Sequence, residues 1–336
     1  MSESVSLVIP GKNCARTIGR CLDAVVPMLA RPECGLQEVI FVDDGSTDDS
    51  AKIVSGYSQV RCLQGPAGGP GAARNVGWRA ANGELVWFVD SDCVAEPDAL
   101  VILLRHFDSP RVAAVGGSYA NGCPESLLGT LIHEEIVARH AAMGREVNFL
   151  AGYNVVYRRS VLEQVGGIDE TLFNGPGSPG AEDAELSFKA QAAGYVLRFD
   201  AASRVAHYHP TRLARYLRAQ RHHGYWRVNL HLLYAEHSKG DAYSGIVDHA
   251  QPPLALASMC SLPLVFCWPG QVAFAVTTSL LALAQLPLTI RLYERTKNAG
   301  LLLFAPLGFV RAYARAMGML YGMWHYATGY TKLRRP

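Results

Sequence analysis

The sequence predicts an α/β fold: a mostly parallel sheet with helices on both faces, followed by membrane-associated helices in the C-terminal part. Over roughly the first hundred residues, short apolar runs alternate with segments of helical periodicity, the order that parallel sheets produce. Polar clusters follow several of the apolar runs, where such sheets bind ligands. The chain has 336 residues, 49% of them apolar, which is enough for about two domains.

The first part of the sheet can be placed element by element. The first strand, Val-Ser-Leu-Val-Ile at 5–9, ends before Pro10 and Gly11. Apolar residues at helical spacing from Ile18 onward predict a helix after it. Strands are predicted at 5–9, 38–42, 59–63 and 84–89, and helices at 14–30, 48–56 and 71–82.

The segment from 112 to 210 is less regular but contains the same types of element. A loop rich in Gly and Pro at 174–180 comes before its last predicted helix. We predict a strand at 112–119, strand-like pieces between 195 and 208, and helices at 125–143, 160–165 and 182–193.

Composition excludes several classes of protein. The 31 Lys and Arg residues nearly balance the 29 Asp and Glu residues, so the chain lacks the basic excess of a nucleic-acid-binding protein. The eight cysteines contain no C-x-x-C pair, which argues against a zinc ribbon or a disulfide scaffold. The start, Met1 to Ser4, has no basic n-region and no apolar h-region follows it, so we expect a cytoplasmic first domain with reduced thiols.

The C-terminal part changes in character. Residues 250–290 contain no Asp, Glu, Lys, Arg or His over 41 positions, about twice the length that spans a bilayer. A second apolar stretch covers 299–310. These runs favour membrane insertion; a buried core helix or an oligomer interface is the alternative. We therefore expect an α/β domain over 1–225, a connecting segment over 226–249 and a membrane-associated helical region over 250–336.

Basic residues flank both apolar stretches, and the positive-inside rule would hold these flanks on the cytoplasmic side. This favours a hairpin broken near Pro269 and Gly270, which either crosses the bilayer twice or re-enters it. Residues 299–326 would then form a further interfacial or partly inserted helix. Aromatic and basic residues typical of an interfacial rim close the chain: Trp324, Tyr326, Tyr330, Lys332, Arg334 and Arg335.

Two polar motifs near the first strands have the residue types of a ligand site. The run from Asp43 and Asp44 to Asp48 follows the second strand, where a carboxylate can accept the N–H of a nucleobase; a turn with a helix cap is the alternative. Small residues at 68–73 place backbone N–H groups at a helix start, which suits a phosphate, and Arg74 could pair with that phosphate. The alternative is a flexible turn with a surface arginine.

The run Asp90-Ser91-Asp92 ends the fourth predicted strand. Side chains two apart in an extended segment point the same way, so Asp90 and Asp92 could share one hard cation, Mg2+ or Mn2+, together with phosphate oxygens. His207 or His209 could add an imidazole ligand. A solvated acidic loop and a structural histidine are the alternatives.

Glu182 and Asp183 open the helix that follows the Gly/Pro-rich loop. A carboxylate near a helix N-terminus stays ionised and can act as a general base. In isolation a simple helix cap is the better explanation of the pair.

Taken in order, these motifs resemble the GT-A glycosyltransferases of family 2 over about residues 5–225. The matching residues are Val8-Ile9-Pro10 with Asn13, Asp43-Asp44-Gly45-Ser46, Ala73-Arg74-Asn75 with Gly77, Asp90-Ser91-Asp92, Gly166-Gly167-Ile168-Asp169-Glu170, Glu182-Asp183 with Gly194, and His207. The resemblance implies a GT-A (Rossmann-like) fold and an inverting, metal-dependent transfer of a sugar from a nucleotide-sugar to a hydroxyl group.

The resemblance also implies roles for single residues, with a UDP-sugar as the favoured donor. By it, Asp183 is the catalytic base, and Asp90, Asp92 and His207 hold Mg2+ or Mn2+. The donor would be bound by Pro10, Asn13, Asp43, Asp44, Arg74, Asn75, Asp90, Ser91, Asp92 and Glu182.

The expected protein is an enzyme at the cytoplasmic face of the cell membrane that adds one sugar to a lipid-linked saccharide or a growing surface glycan. The Gln-x-x-Arg-Trp motif of processive synthases is only echoed at 220–226, which favours transfer of a single sugar. Two alternatives stay open: the same chemistry on a soluble or protein acceptor, and an inactive nucleotide-sugar-binding partner of a membrane assembly. The sequence does not determine the oligomeric state.

Overall fold

A computed structural model describes most of the chain. Its contacts form two compact units, Met1–Gly122 with Met143–Tyr208 and Cys123–Ala142 with His209–Pro336. The loop predicted at 174–180 and the last four residues of the predicted interfacial rim lie outside the described part. The described residues are 3–170, 182–233 and 243–329.

The first unit is built on one nine-stranded sheet. Its strands pair in the order β3-β2-β1-β4-β8-β6-β9-β5, and β7 pairs with β9. The strands are β1 (Val5–Gly11), β2 (Leu36–Asp43), β3 (Val60–Gln64), β4 (Leu85–Val89), β5 (Cys93–Ala95), β6 (Val112–Asn121), β7 (Glu146–Val147), β8 (Asn154–Arg158) and β9 (Val196–His207).

Strand directions confirm the α/β class and show a mixed sheet. Strands β1 to β4 pair in parallel, as the alternation of strands and helices predicts. Strand β8 runs antiparallel to both of its neighbours, β4 and β6, and β5 runs antiparallel to β9. All seven residues of β1 are buried, as expected for a strand covered on both faces.

The helices follow the predicted order, with two differences. The predicted helix at 14–30 is a regular helix only to Val25 and continues as a 3-10 segment, Val26–Ala30, because Pro27 has no N–H to donate. The helix at Ala99–Leu104 was not predicted. The helices are α1 (Ile18–Val25), α2 (Ser50–Val54), α3 (Pro70–Ala80), α4 (Ala99–Leu104), α5 (Leu127–His140), α6 (Arg159–Val165), α7 (Glu182–Ala192), α8 (Leu213–Leu233), α9 (Ile246–Ser261), α10 (Trp268–Leu283), α11 (Leu286–Thr296) and α12 (Phe304–Ala327).

The second unit contains α5 and α8 to α12. A 3-10 turn, Leu262–Leu264, separates α9 from α10, so the chain breaks just before the predicted break at Pro269 and Gly270. Within the described residues one segment, Trp268–Thr296, is long and apolar enough to cross a membrane. The division into units does not test the predicted boundaries at 225 and 249, which stay a prediction.

Candidate active site

A carboxylate at the end of β2 ties the glycine-rich loop to the sheet. Oδ1 of the buried Asp44 accepts the backbone N–H of Gly68 at 3.1 Å, and Oδ2 accepts that of Gly69 at 2.7 Å. Asp43 lies beside it and its Oδ1 accepts the N–H of Ser46 at 2.9 Å. Sequence reasoning left open which of the two contacts a base. Among the described residues, Asp43 has the less occupied carboxylate.

Asn13 and the turn after β2 hold each other in place. Asn13 adopts a left-handed φ of 52°, and its Oδ1 accepts the N–H of Thr47 at 2.8 Å. Its own N–H donates to Oγ of Ser46 at 2.9 Å. Pro10 lies beside Val42 in the parallel pair of β1 and β2. The two strand ends therefore form one fixed edge, and contacts of Pro10 and Asn13 with a sugar donor stay a prediction.

A buried guanidinium joins three of the predicted motifs. Arg74, in α3, is 5% exposed. One of its terminal nitrogens lies 2.6 Å from Oδ1 of Asp90 and the other 3.1 Å from Oε1 of Glu182. Burial nevertheless raises the pKa of Asp90, against the attraction of Arg74. The glycine-rich motif, the Asp-Ser-Asp turn and the Glu-Asp pair thus meet at one side chain.

Asn75, the next residue, braces the segment that follows α6. Its Nδ2 donates to the carbonyl of Ile168 and to Oε1 of Glu170, both at 2.7 Å. Its Oδ1 accepts from Nε1 of Trp78 at 2.8 Å and from the N–H of Ile168 at 3.0 Å. Every donor and acceptor of the carboxamide is occupied inside the protein. The predicted contact of Asn75 with the donor would require these bonds to open.

The Asp-Ser-Asp turn directs its two carboxylates to different partners. Asp90 faces the buried guanidinium, whereas Oδ2 of Asp92 lies 3.4 Å from Nε2 of His207. The antiparallel pairing of β5 with β9 sets Cys93 directly opposite His207. Of the two histidines that the sequence left open, His207 therefore lies at the turn, and His209 belongs to the second unit. Shared ligation of one ion by both aspartates stays a prediction.

Thiols surround this turn. Ser91 is hydrogen-bonded to the side chain of Cys14, whose thiol pKa is raised by burial. Sγ of Cys21 lies 3.8 Å from the carbonyl oxygen of Asp90. Cys93 follows the turn directly and is fully buried. The thiols of these three cysteines therefore lie on the side of the acidic turn that faces the core.

The residues at the turn fit a divalent cation. One ligand atom each from Asp92, Cys93 and His207 lies within 4.8 Å of the others. Two ligands bound to one ion at about 2.1 Å with an angle near 109° lie about 3.4 Å apart, which is the distance between Asp92 and His207. The Asp92 side chain is 41% exposed, so further ligands have access from solvent.

Asp183, at the start of α7, titrates near neutrality. Its pKa is raised to about 7 because burial and the neighbouring charge of Glu182 disfavour the carboxylate, against the attraction of Arg74. The N–H of Ala184 donates to its Oδ1 at 2.8 Å. A carboxyl group with such a pKa can accept and release a proton at the pH of the cell. This is the property that the predicted general base needs.

Sequence reasoning missed two features of the site. The thiol of Cys93 lies with the Asp92 carboxylate, and its only sequence signal was its position directly after the turn. The bracing role of Asn75 depends on Ile168, 93 residues away in the chain. Both features depend on pairing between distant segments, which a single sequence does not display.

The sheet order and the strand-end acidic site define an α/β protein of the GT-A type. The solved structure of the mannosyltransferase PcManGT from Pyrobaculum calidifontis, in complex with GDP-Man and Mn2+, has a TM-score of 0.61 at 21% identity. The match covers 96% of this chain and 88% of that chain. At this identity the likeness is one of fold.

Residues 6–166 match the model of glycosyl transferase family 2, and this segment belongs to that family. It is 32% identical over 229 residues to the pre-mycofactocin glycosyltransferase of Mycobacterium tuberculosis, a match that covers 63% of this chain and 44% of that protein. It is 30% identical over 211 residues to the probable glycosyltransferase YdaM of Bacillus subtilis, covering 58% and 48%. The chain spans about half the length of these curated relatives.

Proposed function

We propose that the protein is a glycosyltransferase that moves one sugar from a nucleotide-sugar to an acceptor hydroxyl by a single displacement with inversion. The observation that carries the proposal is the position of Arg74. It holds Asp90 at the end of β4 and Glu182 beside Asp183 at the start of α7. The acidic turn at the end of β4 and a carboxyl group with a pKa near 7 are thereby fixed around one buried guanidinium.

The donor side of the reaction needs positive charge. As the bond between sugar and diphosphate breaks, negative charge grows on the diphosphate. A divalent cation bound beside the turn would supply Lewis-acid stabilisation of that charge. Asp92 and His207 would hold it, and the imidazole favours Mn2+ over Mg2+, which prefers oxygen ligands.

The acceptor side needs a base. The attacking hydroxyl must lose its proton as the new bond forms, and Asp183 in its carboxylate form takes that proton. A positioned general base accelerates such a step by about 10²–10⁴-fold. Arg74 bonds to Glu182, and the braced segment after α6 bonds to Glu185 and Lys189 of α7, so α7, and hence Asp183, is held in a defined place.

We further propose that the acceptor is a lipid-linked saccharide or a growing surface glycan at the cytoplasmic face of the membrane. The segment Trp268–Thr296 has the length and hydropathy for a membrane. Large apolar side chains near the two ends of α10 are exposed: Phe266 by 94%, Trp268 by 76% and Leu283 by 57%. Such exposure in one unit is typical of a surface that meets lipid or protein.

The test is a donor panel read by release of nucleoside diphosphate. Purified full-length protein with Mn2+ should release it from one donor, with a UDP-sugar first in the panel, and a lipid extract should stimulate release. Asp183→Asn should lower turnover by at least about 10²-fold, while Asp49→Asn, an exposed aspartate before α2, should not.

Four outcomes would contradict parts of the proposal. Full activity of Asp183→Asn would show that Asp183 is not the base. Activity unchanged by chelation would show that the reaction needs no divalent cation. Stimulation by a soluble or protein acceptor and not by lipid would replace the acceptor. Donor binding without release under any condition would indicate an inactive binding partner.

A further inference from the structure

We propose that Cys93 is a third protein ligand of the cation site. With Asp92 and His207 it gives a site of one oxygen, one nitrogen and one sulfur that takes a borderline-soft divalent cation such as Zn2+ or Co2+. The inference deepens the proposed function, since it concerns the same cation site, but its test requires no sugar transfer.

The distances support a common ion. Oδ2 of Asp92 lies 3.4 Å from Nε2 of His207, and Oδ1 of Asp92 lies 3.9 Å from Sγ of Cys93. Bonds of about 2.3 Å to sulfur and about 2.0 Å to oxygen at a tetrahedral angle place the two ligand atoms about 3.5 Å apart. The observed separation exceeds this by a few tenths of an ångström, and the two oxygens of the carboxylate face one partner each.

The sheet explains why the three groups converge. Cys93 in β5 and His207 in β9 are directly opposed in an antiparallel pair, so their side chains lie on the same face. The ring of Tyr119 lies 4.8 Å from the His207 ring and stacks on Tyr153 at 3.6 Å. This stack restricts the imidazole, as groups around a ligand commonly do at metal sites.

Burial gives the site one closed and one open side. Cys93 has no exposed surface and closes the site toward the core, whereas the Asp92 side chain is 41% exposed. Three protein ligands with an open fourth position are the arrangement of a catalytic rather than a structural zinc site. The open position is where a diphosphate oxygen or water would bind.

Ligand softness decides which ions use the sulfur. Thiolates bind Zn2+ and Co2+ well, while Mg2+ and Mn2+ prefer oxygen. We therefore expect two ligand sets at one place: Asp92 and His207 for Mn2+, and the same two with Cys93 for the softer ions. When the sulfur–metal bond forms, the thiol proton is released to solvent.

The experiment is a titration of the nucleotide-free, full-length protein with Co2+, followed by absorption spectroscopy. Thiolate ligation produces a sulfur-to-cobalt charge-transfer band in the near ultraviolet, which should grow to one equivalent and vanish when Zn2+ displaces the cobalt. Cys93→Ser should abolish the band and lower the affinity for Zn2+ relative to Mn2+ by at least about tenfold. Cys93→Ala is a second variant with the same expected result.

Cys62→Ser is the matched control. Cys62 is exposed on β3, at the other end of the strand order from β5, so its replacement should leave the band unchanged. Cobalt that binds the wild-type protein without the band, or does not bind at all, would overturn the proposal and leave Cys93 as a core residue. This result needs no variant to fold. A protein inactive in the donor panel but with the band would refute the proposed reaction and keep the sulfur ligand.

Discussion

At the scale of single residues, the site depends on the buried guanidinium of Arg74. Removing Arg74 takes the guanidinium away from the 9%-exposed Glu182 side chain and from the partly exposed Asp90. Breaking a buried pair from one side is costly because the charge that remains is desolvated. We expect Arg74→Met to lower the free energy of unfolding by about 3 kcal/mol, measured by urea denaturation.

Arg79→Met is the matched control on the same helix. Arg79 is 52% exposed and pairs with Glu170, which is 38% exposed. An exposed pair contributes about 0–1 kcal/mol. The free energy of unfolding of this variant should therefore lie within about 1 kcal/mol of that of the parent. Equal losses in the two variants would show that Arg74 acts through packing in α3 and not through its charge.

The pH dependence of the reaction follows from Asp183. Its pKa in the free protein is raised to about 7, and the base works only when deprotonated. Therefore kcat/KM should rise with pH up to about 7 and level off above it. Glu182→Gln removes a neighbouring negative charge that helps to raise this pKa, so the acidic limb of the profile should move to lower pH.

The measurement is a profile of kcat/KM from pH 5 to pH 9 for the parent and for Glu182→Gln. The donor concentration is kept well above the enzyme concentration. An exposed carboxylate provides the control: Glu163→Gln, at the end of α6 and paired with Arg159, should leave the limb in place. A limb that is unchanged in Glu182→Gln would assign the titration to another group.

The motif of a residue can indicate a role but not the long-range contacts of its side chain. Asp183 was assigned as the base through the family resemblance, and its raised pKa fits that role, which stays a prediction. Asn75 was assigned to the donor, but its carboxamide is committed to Ile168 and Glu170. Such long-range commitments do not change local composition, so the motif alone could not show them.

At the scale of elements, buried strands were the most predictable feature. The apolar runs at β1, β2 and β4 follow from burial on both faces. The three-residue β5 and the six-residue α4 are too short for a periodic signal. The antiparallel direction of β8 was not predicted either, because it depends on its pairing with β4 and β6, which lie far from it in the chain.

The packing of α3 on β1 leads to a prediction about two glycines. A Cβ at Gly77 would lie 2.2 Å from Cγ1 of Val8, so Gly77→Ala should destabilise the protein by about 1–3 kcal/mol through overpacking. At Gly19, in α1, the nearest atoms to a Cβ are 3.8 Å away. Gly19→Ala should therefore be neutral or stabilising by up to about 1 kcal/mol, the helix preference for Ala.

Thermal and urea unfolding of both glycine variants measure this contrast. The two substitutions add the same methyl group to a helix, so propensity cancels and only the space around the residue differs. A stable Gly77→Ala would mean that α3 moves away from β1 at low cost. The position of the adjacent Arg74 would then be less fixed than the structure indicates.

At the scale of the whole molecule, the second unit joins segments that are far apart in sequence. Arg311 in α12 is 2% exposed and bonds to both carboxylate oxygens of Glu135 in α5. Arg139, also in α5, pairs with Asp248 in α9. Composition marked only 250–336 as a separate region, since the charge pairs that bind α5 to it are not visible as a local pattern.

This organisation determines how the membrane proposal should be tested. Deleting 250–336 would remove Arg311 and leave the buried Glu135 carboxylate with Arg139 as its remaining arginine partner, and losing one side of a buried ion pair is destabilising. Loss of membrane binding in such a truncated protein would therefore not identify the lipid-facing surface. Substitutions confined to exposed side chains avoid this problem because they leave the ion pairs intact.

We predict that a triple variant, Phe266→Ser, Trp268→Ser and Leu283→Ser, binds phospholipid vesicles at least about tenfold more weakly than the parent, because each large apolar side chain is worth about 1.5–3 kcal/mol when removed from water. The control replaces three exposed leucines in α5 and α8, Leu127, Leu213 and Leu232, and should bind as the parent does. Vesicle sedimentation measures both. Equal binding by the two variants would show that these three side chains do not contact lipid, and a change in oligomeric state of the first variant alone would show that they contact protein.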